Sequence, residues 1–273
     1  MAYEVKILAD SVGPNGVRLT TWQLTYPRFV HAELMTHRLF SRNSASSRAI
    51  PTKKLMDQIC RDPALPVWWG KNQAGMQARE QFSKGSFRLA VIKFVWLKLR
   101  WIALLAAWML TKLCLHKQIA NRILEPWMFI TVIVSATEWS NFFKLRCHPD
   151  AQPEIGFIAK WMQKEYGTSA PRQLQAGDWH LPFIDEPVGD SFDSRKISTA
   201  RIARVSYLTH DGKRDLNKDI ELHDMLSRSN HWSPFEHVAQ AKGKWDLTWS
   251  GNFRGWTQYR EMMDTDFTIV GRQ

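Results

Sequence analysis

The chain has 273 residues, 44% of them hydrophobic, and a formal charge of +11 at pH 7. That length and apolar content suit one large domain or two small ones with a buried core, and exclude a disordered polyelectrolyte. The excess of Lys and Arg calls for an anionic partner, which charge alone leaves open among nucleic acid, an acidic membrane surface and a small phosphorylated ligand.

Cys60, Cys114 and Cys147 stand far apart with no C-x-x-C pair, so neither a disulfide framework nor a zinc knot is expected. The N-terminus, M-A-Y-E-V-K-I-L-A-D, lacks the apolar core and small-residue cleavage site of a signal peptide. A reducing, cytoplasmic setting is expected.

Residues 4–9 and 17–25 read as strands, rich in β-branched and aromatic side chains and separated by a Gly/Pro/Asn turn. Pro27 then opens a helix with an apolar side of Phe29, Val30, Ala32, Leu34, Met35 and Leu39, which delivers His37 and Arg38 to its C-terminal end. Next comes T-H-R-L-F-S-R-N-S-A-S-S-R-A-I-P, residues 36–51, with three arginines, an imidazole, an asparagine and four serines, and no acid. Arginine forks, serine hydroxyls and backbone N–H groups together cradle anions, so this reads as a phosphate-binding loop after a helix. On composition alone it reads equally as a solvated basic loop or a nucleic-acid patch.

Residues 63–77 are irregular, and residues 81–115 and 117–145 read as helical with a break near His116 or Pro126. The most apolar part, residues 87–115, is interrupted by Arg88, Lys93, Lys98, Arg100 and Lys112, leaving no uncharged run near the about twenty residues of a membrane span. It reads as a buried or amphipathic helix, or one whose Trp-rich, Lys-bearing face touches a membrane surface or a partner helix. Asp150 caps a helix to about residue 166, and residues 168–193 are a Pro/Gly-rich loop, a boundary or lid. Helices are expected over 196–205 and 216–229, the latter turning Ile220, Leu222, Met225 and Leu226 inward; 238–250 is extended and 251–263 a last helix.

His37 and Arg38, followed at matching spacing by Ser46 and then Arg48, resemble the R-H-R-x7-S signature of the flavin-dependent thymidylate synthases, with Thr36 in place of the first arginine. N-F-F-K-L-R at 141–146 and A-Q-P-E-I at 151–155 are similar to that family's N-F-L-x-L-R and H-A-Q-x-E-I, and R-I-L-E-P at 122–126 to its R-x-V-L-P. A-R-V-S-Y at 203–207 and N-H-W-S-P-F-E-H at 230–237 resemble A-R-V-S-[FY] and G-H-x-[ST]-P-F-E-H, which in the family precede R-H-R-x7-S. The resemblance therefore covers nearly the whole chain in a circularly permuted order, which is tolerable where termini lie close at the surface. A further stretch, W-D-L-T-W-S-G-N-F-R-G-W-T-Q-Y-R at 245–260, echoes residues 19–38 as strand, turn and a helix ending in a basic pair. The echo sets Gln258, Tyr259 and Arg260 where Thr36, His37 and Arg38 sit, with Arg260 as a substitute for the charge lost at Thr36.

The resemblance implies an α+β fold, an antiparallel sheet with a long-helix bundle, forming one domain over 1–273. A nucleotide-binding half, 1–167, would be joined by the loop 168–194 to a flavin-binding half, 195–273. It implies reductive methylation of dUMP to dTMP, with methylenetetrahydrofolate supplying the carbon and FAD, reduced by NADPH, the hydride. Ser46, Arg48 and Arg146 would be catalytic, and with Ser47, Arg122 and Glu33 would bind dUMP. His37, Arg38, Asn43, Asn141, Ser206, His231, Ser233 and Glu236 would meet the flavin. A homotetramer is implied, with no membrane span, no metal and no obligate nucleic acid.

Departures at Glu33, Ser44 and the run Ser135, Ala136, Thr137 keep open a different C5 modification, such as hydroxymethylation of another pyrimidine deoxynucleotide. A non-catalytic nucleic-acid-binding protein, using the basic surface and its Trp residues, is the competing class. Cys147 follows Arg146 and not a proline, so a structural thiol is expected there and no nucleophile. His231 and His237 flank Glu236 without a helical H-E-x-x-H register, and no G-x-G-x-x-G follows a strand.

Overall fold

A computed structural model describes residues 3–184, 192–206 and 215–264. In chain order its elements are β1 (Glu4–Val12), β2 (Arg18–Pro27), α1 (His31–Met35), β3 (Ser41–Ser44), α2 (Thr52–Arg61), α3 (Phe87–Lys112), α4 (Lys117–Ala120), β4 (Phe129–Ala136), α5 (Ser140–Arg146) and α6 (Pro153–Thr168). Then follow β5 (Arg172–Gln173), β6 (Trp179–His180), α7 (Phe192–Ala203), α8 (Leu216–Arg228), β7 (Ala239–Ala241), β8 (Trp249–Ser250), β9 (Phe253–Arg254), β10 (Trp256–Gln258) and α9 (Tyr259–Met263). The class is α+β, with a five-stranded sheet in the order β3-β4-β2-β1-β5, antiparallel except for the β1–β5 edge.

The hairpin β1–β2 closes through Gly13 to Gly16, where the Asn15 side chain accepts from the Val17 N–H. Asn15 also donates to the carbonyls of Asp246 and Gly255, and the Trp256 indole donates to the Val17 carbonyl. Segments near the two ends of the chain are thereby laced together. Gly255 sits at φ +72°, and a Cβ there would lie 2.7 Å from Asn15 Nδ2, so both conformation and space require glycine.

The run F-I-T-V-I-V-S-A of β4 is a central strand where a helix is expected, because consecutive β-branched residues bury on both faces of a sheet. Ile130, Val132 and Val134 meet Trp22, Leu24 and Tyr26 of β2 and Phe142, Ile155, Ile158 and Met162 of α5 and α6. Ile133 points the other way, into Ile202, Val205, Leu226, Phe235 and Tyr259. A third cluster joins Leu55 and Ile59 of α2 to Leu104 and Ala107 of α3 and to Leu124 and Trp127.

Other boundaries also move. The helix expected from Pro27 is a 3-10 turn, Arg28–Val30, followed by the five-residue α1, and Met35 and Leu39 face solvent. Residues 41–44, expected in a loop, pair with β4 as β3. α3 starts at Phe87, where the Ser86 hydroxyl accepts from the Leu89 N–H. α6 starts at Pro153 and not after Asp150, since proline is pre-organised for the first helical position. In α8 the buried positions are Asp219, His223 and Leu226, while Met225 is exposed: Asp219 is paired with Arg201 and Arg204 at 3.2 and 2.7 Å. The expected last helix over 251–263 is β9, β10 and a five-residue α9, punctuated by Gly251 and Gly255, so Arg260 belongs to a single helical turn and not to the end of a long helix.

The segment expected as a plain joining loop carries β5 and β6, and β6 places a buried histidine under the sheet. His180 Nδ1 meets Ser11 Oγ at 2.9 Å and its Nε2 meets Thr21 Oγ1 at 2.8 Å. Thr21 Oγ1 meets Ser135 Oγ at 2.6 Å, and Ser135 Oγ meets His237 Nδ1 at 2.7 Å. This chain of buried polar groups ties β1, β2 and β4 to β6 and to the turn ending in His237. Burial pushes both imidazoles down to about 3, so they are neutral at pH 7.

Candidate active site

The first group of side chains lies where α1 ends. Thr36 Oγ1 donates to the Glu33 carbonyl, and His37 sinks beneath it against Phe40 and edge-on to Phe142. Arg146, in the last turn of α5, donates from Nε to His37 Nε2 at 3.0 Å and from Nη2 to the Glu33 carbonyl and Thr36 Oγ1 at 3.0 and 2.9 Å. A guanidinium only donates, so His37 Nε2 must be the bare nitrogen and Nδ1 the protonated one. Burial first, then Arg146 and Arg42, push the His37 imidazole down to about 4. Glu33 Oε2 is buried with no hydrogen-bond partner among the described residues.

The second group surrounds the Ser46–Arg48 turn. Ser46 Oγ accepts from the Arg48 N–H, and the Arg48 side chain is exposed. Ser47 Oγ donates to Glu125 Oε1, which also takes Arg28 at 3.1 Å and Arg122 at 2.7 Å. Buried Asn121 holds the turn by donating to the carbonyls of Ser47 and Ile50, and Lys117 donates to that of Ala49. Burial would raise the Glu125 carboxyl, but its bonds to Arg28 and Arg122 hold it below the usual range. Arg28 and Arg122 thus share a single carboxylate, and Lys117 adds a further cation on the adjoining turn, leaving a local excess of positive charge. Arg28, Lys117 and Glu125 escaped the sequence reading; the only signal for Glu125 is its place beside Arg122 in R-I-L-E-P.

The third group joins β3 to the S-P-F-E turn. Asn43 Nδ2 donates to the Ile202 carbonyl at 2.7 Å, and Ser233 Oγ donates to Asn43 Oδ1 at 3.4 Å. Glu236 pairs with Arg260 at 2.5 Å. Burial pushes its carboxyl up, opposed by Arg260 and Arg42. Gln258 Nε2 reaches Ser41 Oγ and the Glu236 carbonyl, so the T-Q-Y-R echo buttresses β3 and the turn from behind. Arg42, donating to the Met35 carbonyl, acts electrostatically on both His37 and Glu236 and so lies between the first and third groups.

Of the other expected contacts, Arg38, Asn141 and His231 are exposed, His231 with Nδ1 2.9 Å from Ser229 Oγ. The side chain of Ser206 and all of Tyr207 lie outside the described residues. Burial pushes the half-buried Cys147 thiol up, which suppresses the nucleophilic thiolate at neutral pH. No group of His, Cys, Asp and Glu among the described residues is arranged to hold a metal ion.

No family model matches the chain, and no curated protein matches it. Among solved structures it is similar to the UMP/dUMP methylase PolB from Streptomyces cacaoi, in one structure bound with 5-Br UMP and in another with 5-Br dUMP. Identity is 15% in both, over 60% of this chain and 88% or 90% of that one, with a TM-score of 0.48. That likeness lies below the level from which a shared activity follows.

Proposed function

We propose that the chain binds dUMP and, with a flavin, modifies C5 of its pyrimidine ring, by reductive methylation to dTMP with methylenetetrahydrofolate and NADPH as co-substrates. The observation that supports this most is convergence of the scattered motifs around β3. Arg146 bonds to His37 from 109 positions away, and Ser233 to Asn43 from 190. Such meetings are what a shared site requires.

In this reading Arg48 and Arg122, with Ser46 and Ser47, hold the phosphate dianion, for which charge-assisted bonds are the strong ones. Arg146 orients the base while itself braced by His37 and Thr36, and the unpartnered Glu33 Oε2 accepts from the pyrimidine N3–H. The donor set also fits FAD: Arg38, Asn141 and His231 would offer exposed donors to ring carbonyl and phosphate oxygens, Ser233, which donates to Asn43, would orient that side chain, and Glu236 is held in place by Arg260. Ser206 would complete the set. A bound flavin supplies the hydride, while the protein's residues bind, orient and neutralise charge. We place the protein in the cytoplasm as a homo-oligomer, the tetramer being the form implied by the resemblance.

Incubating the protein with dUMP, methylenetetrahydrofolate, FAD and NADPH, and weighing the nucleotide product, tests this. A methylated product is expected; a hydroxymethylated one would move the reading to the neighbouring C5 chemistry. Unchanged nucleotide, together with salt-sensitive binding to DNA of any sequence, would refute it in favour of a nucleic-acid-binding protein.

A further inference from the structure

α3 is 26 residues long, about 39 Å, and apolar on both sides. Its inner side, Leu89, Leu104 and Ala107, is buried in the fold, but its outer side is bare: Phe94, Trp101, Ile102, Leu105, Trp108 and Met109 are each about half exposed or more. A helix that is hydrophobic all round belongs inside something, whereas a helix lying on a lipid surface has one strongly polar face. No helix among the described residues is long and apolar enough to cross a membrane. The missing cover is therefore protein.

The outer side has a seven-residue repeat. Val91, Lys98, Leu105 and Lys112 occupy one heptad position, Phe94, Trp101 and Trp108 the second, and Val95, Ile102 and Met109 flank them. We propose that this face pairs with the same face of a second copy, helix against helix and antiparallel. Direction follows from the lysines. In a parallel pair Lys98 would meet Lys98 and Lys112 would meet Lys112. In an antiparallel pair the first position layers with the second of the other copy, and the two registers that set Lys98 opposite Trp101 or Trp108 also set Lys112 opposite Phe87 or Phe94, so both lysines meet an aromatic ring. The chain already uses this contact internally, with Lys98 Nζ 5.1 Å from the Phe94 ring centroid and Lys112 Nζ 5.9 Å from that of Trp108.

Area is sufficient. With about half of each aromatic side chain's 150–250 Å² exposed, and the aliphatic residues beside them, the face offers on the order of 800 Å², one partner's share of a standard interface. The pairing gives a definite surface to the self-association proposed above, yet rests on the face alone and not on the nucleotide reading.

Light scattering on the purified full chain, without nucleotide or flavin, tests it. The wild type is expected to run as a dimer or larger at tens of micromolar, and Ile102→Glu to lower the mass at least twofold with its helical circular dichroism retained. Leu105→Ser, a milder change, should weaken association in the same direction, and Trp245→Glu, at an exposed site off the helix, should leave it intact. A monomeric wild type overturns the proposal, as does an unchanged mass in both folded α3 variants. A monomer that sediments with phosphatidylserine–phosphatidylcholine vesicles overturns it in favour of a membrane surface.

Discussion

Acidification should weaken the fold through the buried polar chain under the sheet. His180 and His237 are fully buried and pushed down to about 3 from an ordinary 6.5, because burial penalises the charged ring, and at His237 the neighbouring His180 adds to the effect. Asp10 works in the opposite direction at His180 and is outweighed. A depressed folded value means the unfolded chain binds protons first. Stability is thus full above about pH 6.5, and falls from there until the folded rings titrate near pH 3. Between pH 7 and pH 5 each histidine costs about 2 kcal/mol, about 4 for the pair, against a typical total of 5–15 kcal/mol. His31 and His37, pushed down to about 4 mainly by burial, tilt the curve the same way, so the decisive quantity is a difference between proteins. Urea unfolding at pH 7, 6 and 5 should show that His180→Gln loses about 2 kcal/mol less over this range than the wild type. Equal losses, or a His180 resonance titrating near pH 6.5 in the folded protein, would show that the buried ring does not set this pH dependence.

Arg48→Ala removes an exposed cation from the proposed phosphate cradle. Nucleotide affinity should fall by about one to two decades, as charge-assisted bonds are worth roughly 1.5–3 kcal/mol, with the unfolding midpoint unchanged; calorimetric titration with dUMP measures it. Asp219→Ala leaves Arg201 and Arg204 without their buried counter-charge, so urea denaturation should show a loss of about 3–5 kcal/mol.

How far the sequence speaks differs from element to element. The β1–β2 hairpin was legible because two runs rich in β-branched and aromatic residues flank a Gly/Pro/Asn turn. β4 was not, because a short continuous apolar run reads alike as buried strand and buried helix, and its flanks are helical. Residues 41–44 carry phosphate-binding side chains, but their backbone hydrogen bonds go to β4, a partner some ninety positions away that no local pattern announces. At the site the same division holds. His37, Arg146, Asn43 and Ser233 were picked out by motif, and the structure brings them into two bonded pairs. Arg28, Lys117 and Glu125 are ordinary surface-type residues in sequence; the 3-10 turn at Asn121–Trp127 sets Glu125 against Ser47 and Arg28, and Lys117 reaches the Ala49 carbonyl from the preceding helix. Gln258 was placed by its echo of Thr36; its role as a brace for Ser41 and the Glu236 backbone follows from three dimensions alone.

The central claim is that one surface around β3 takes both a flavin and dUMP. The direct measurement is the visible spectrum of the protein reconstituted with FAD and freed of excess, titrated with dUMP. A retained flavin band that shifts saturably with dUMP is expected, with about ten to a hundred times more nucleotide needed in Arg48→Ala. A protein that retains no flavin, or whose flavin band is indifferent to dUMP, would contradict it.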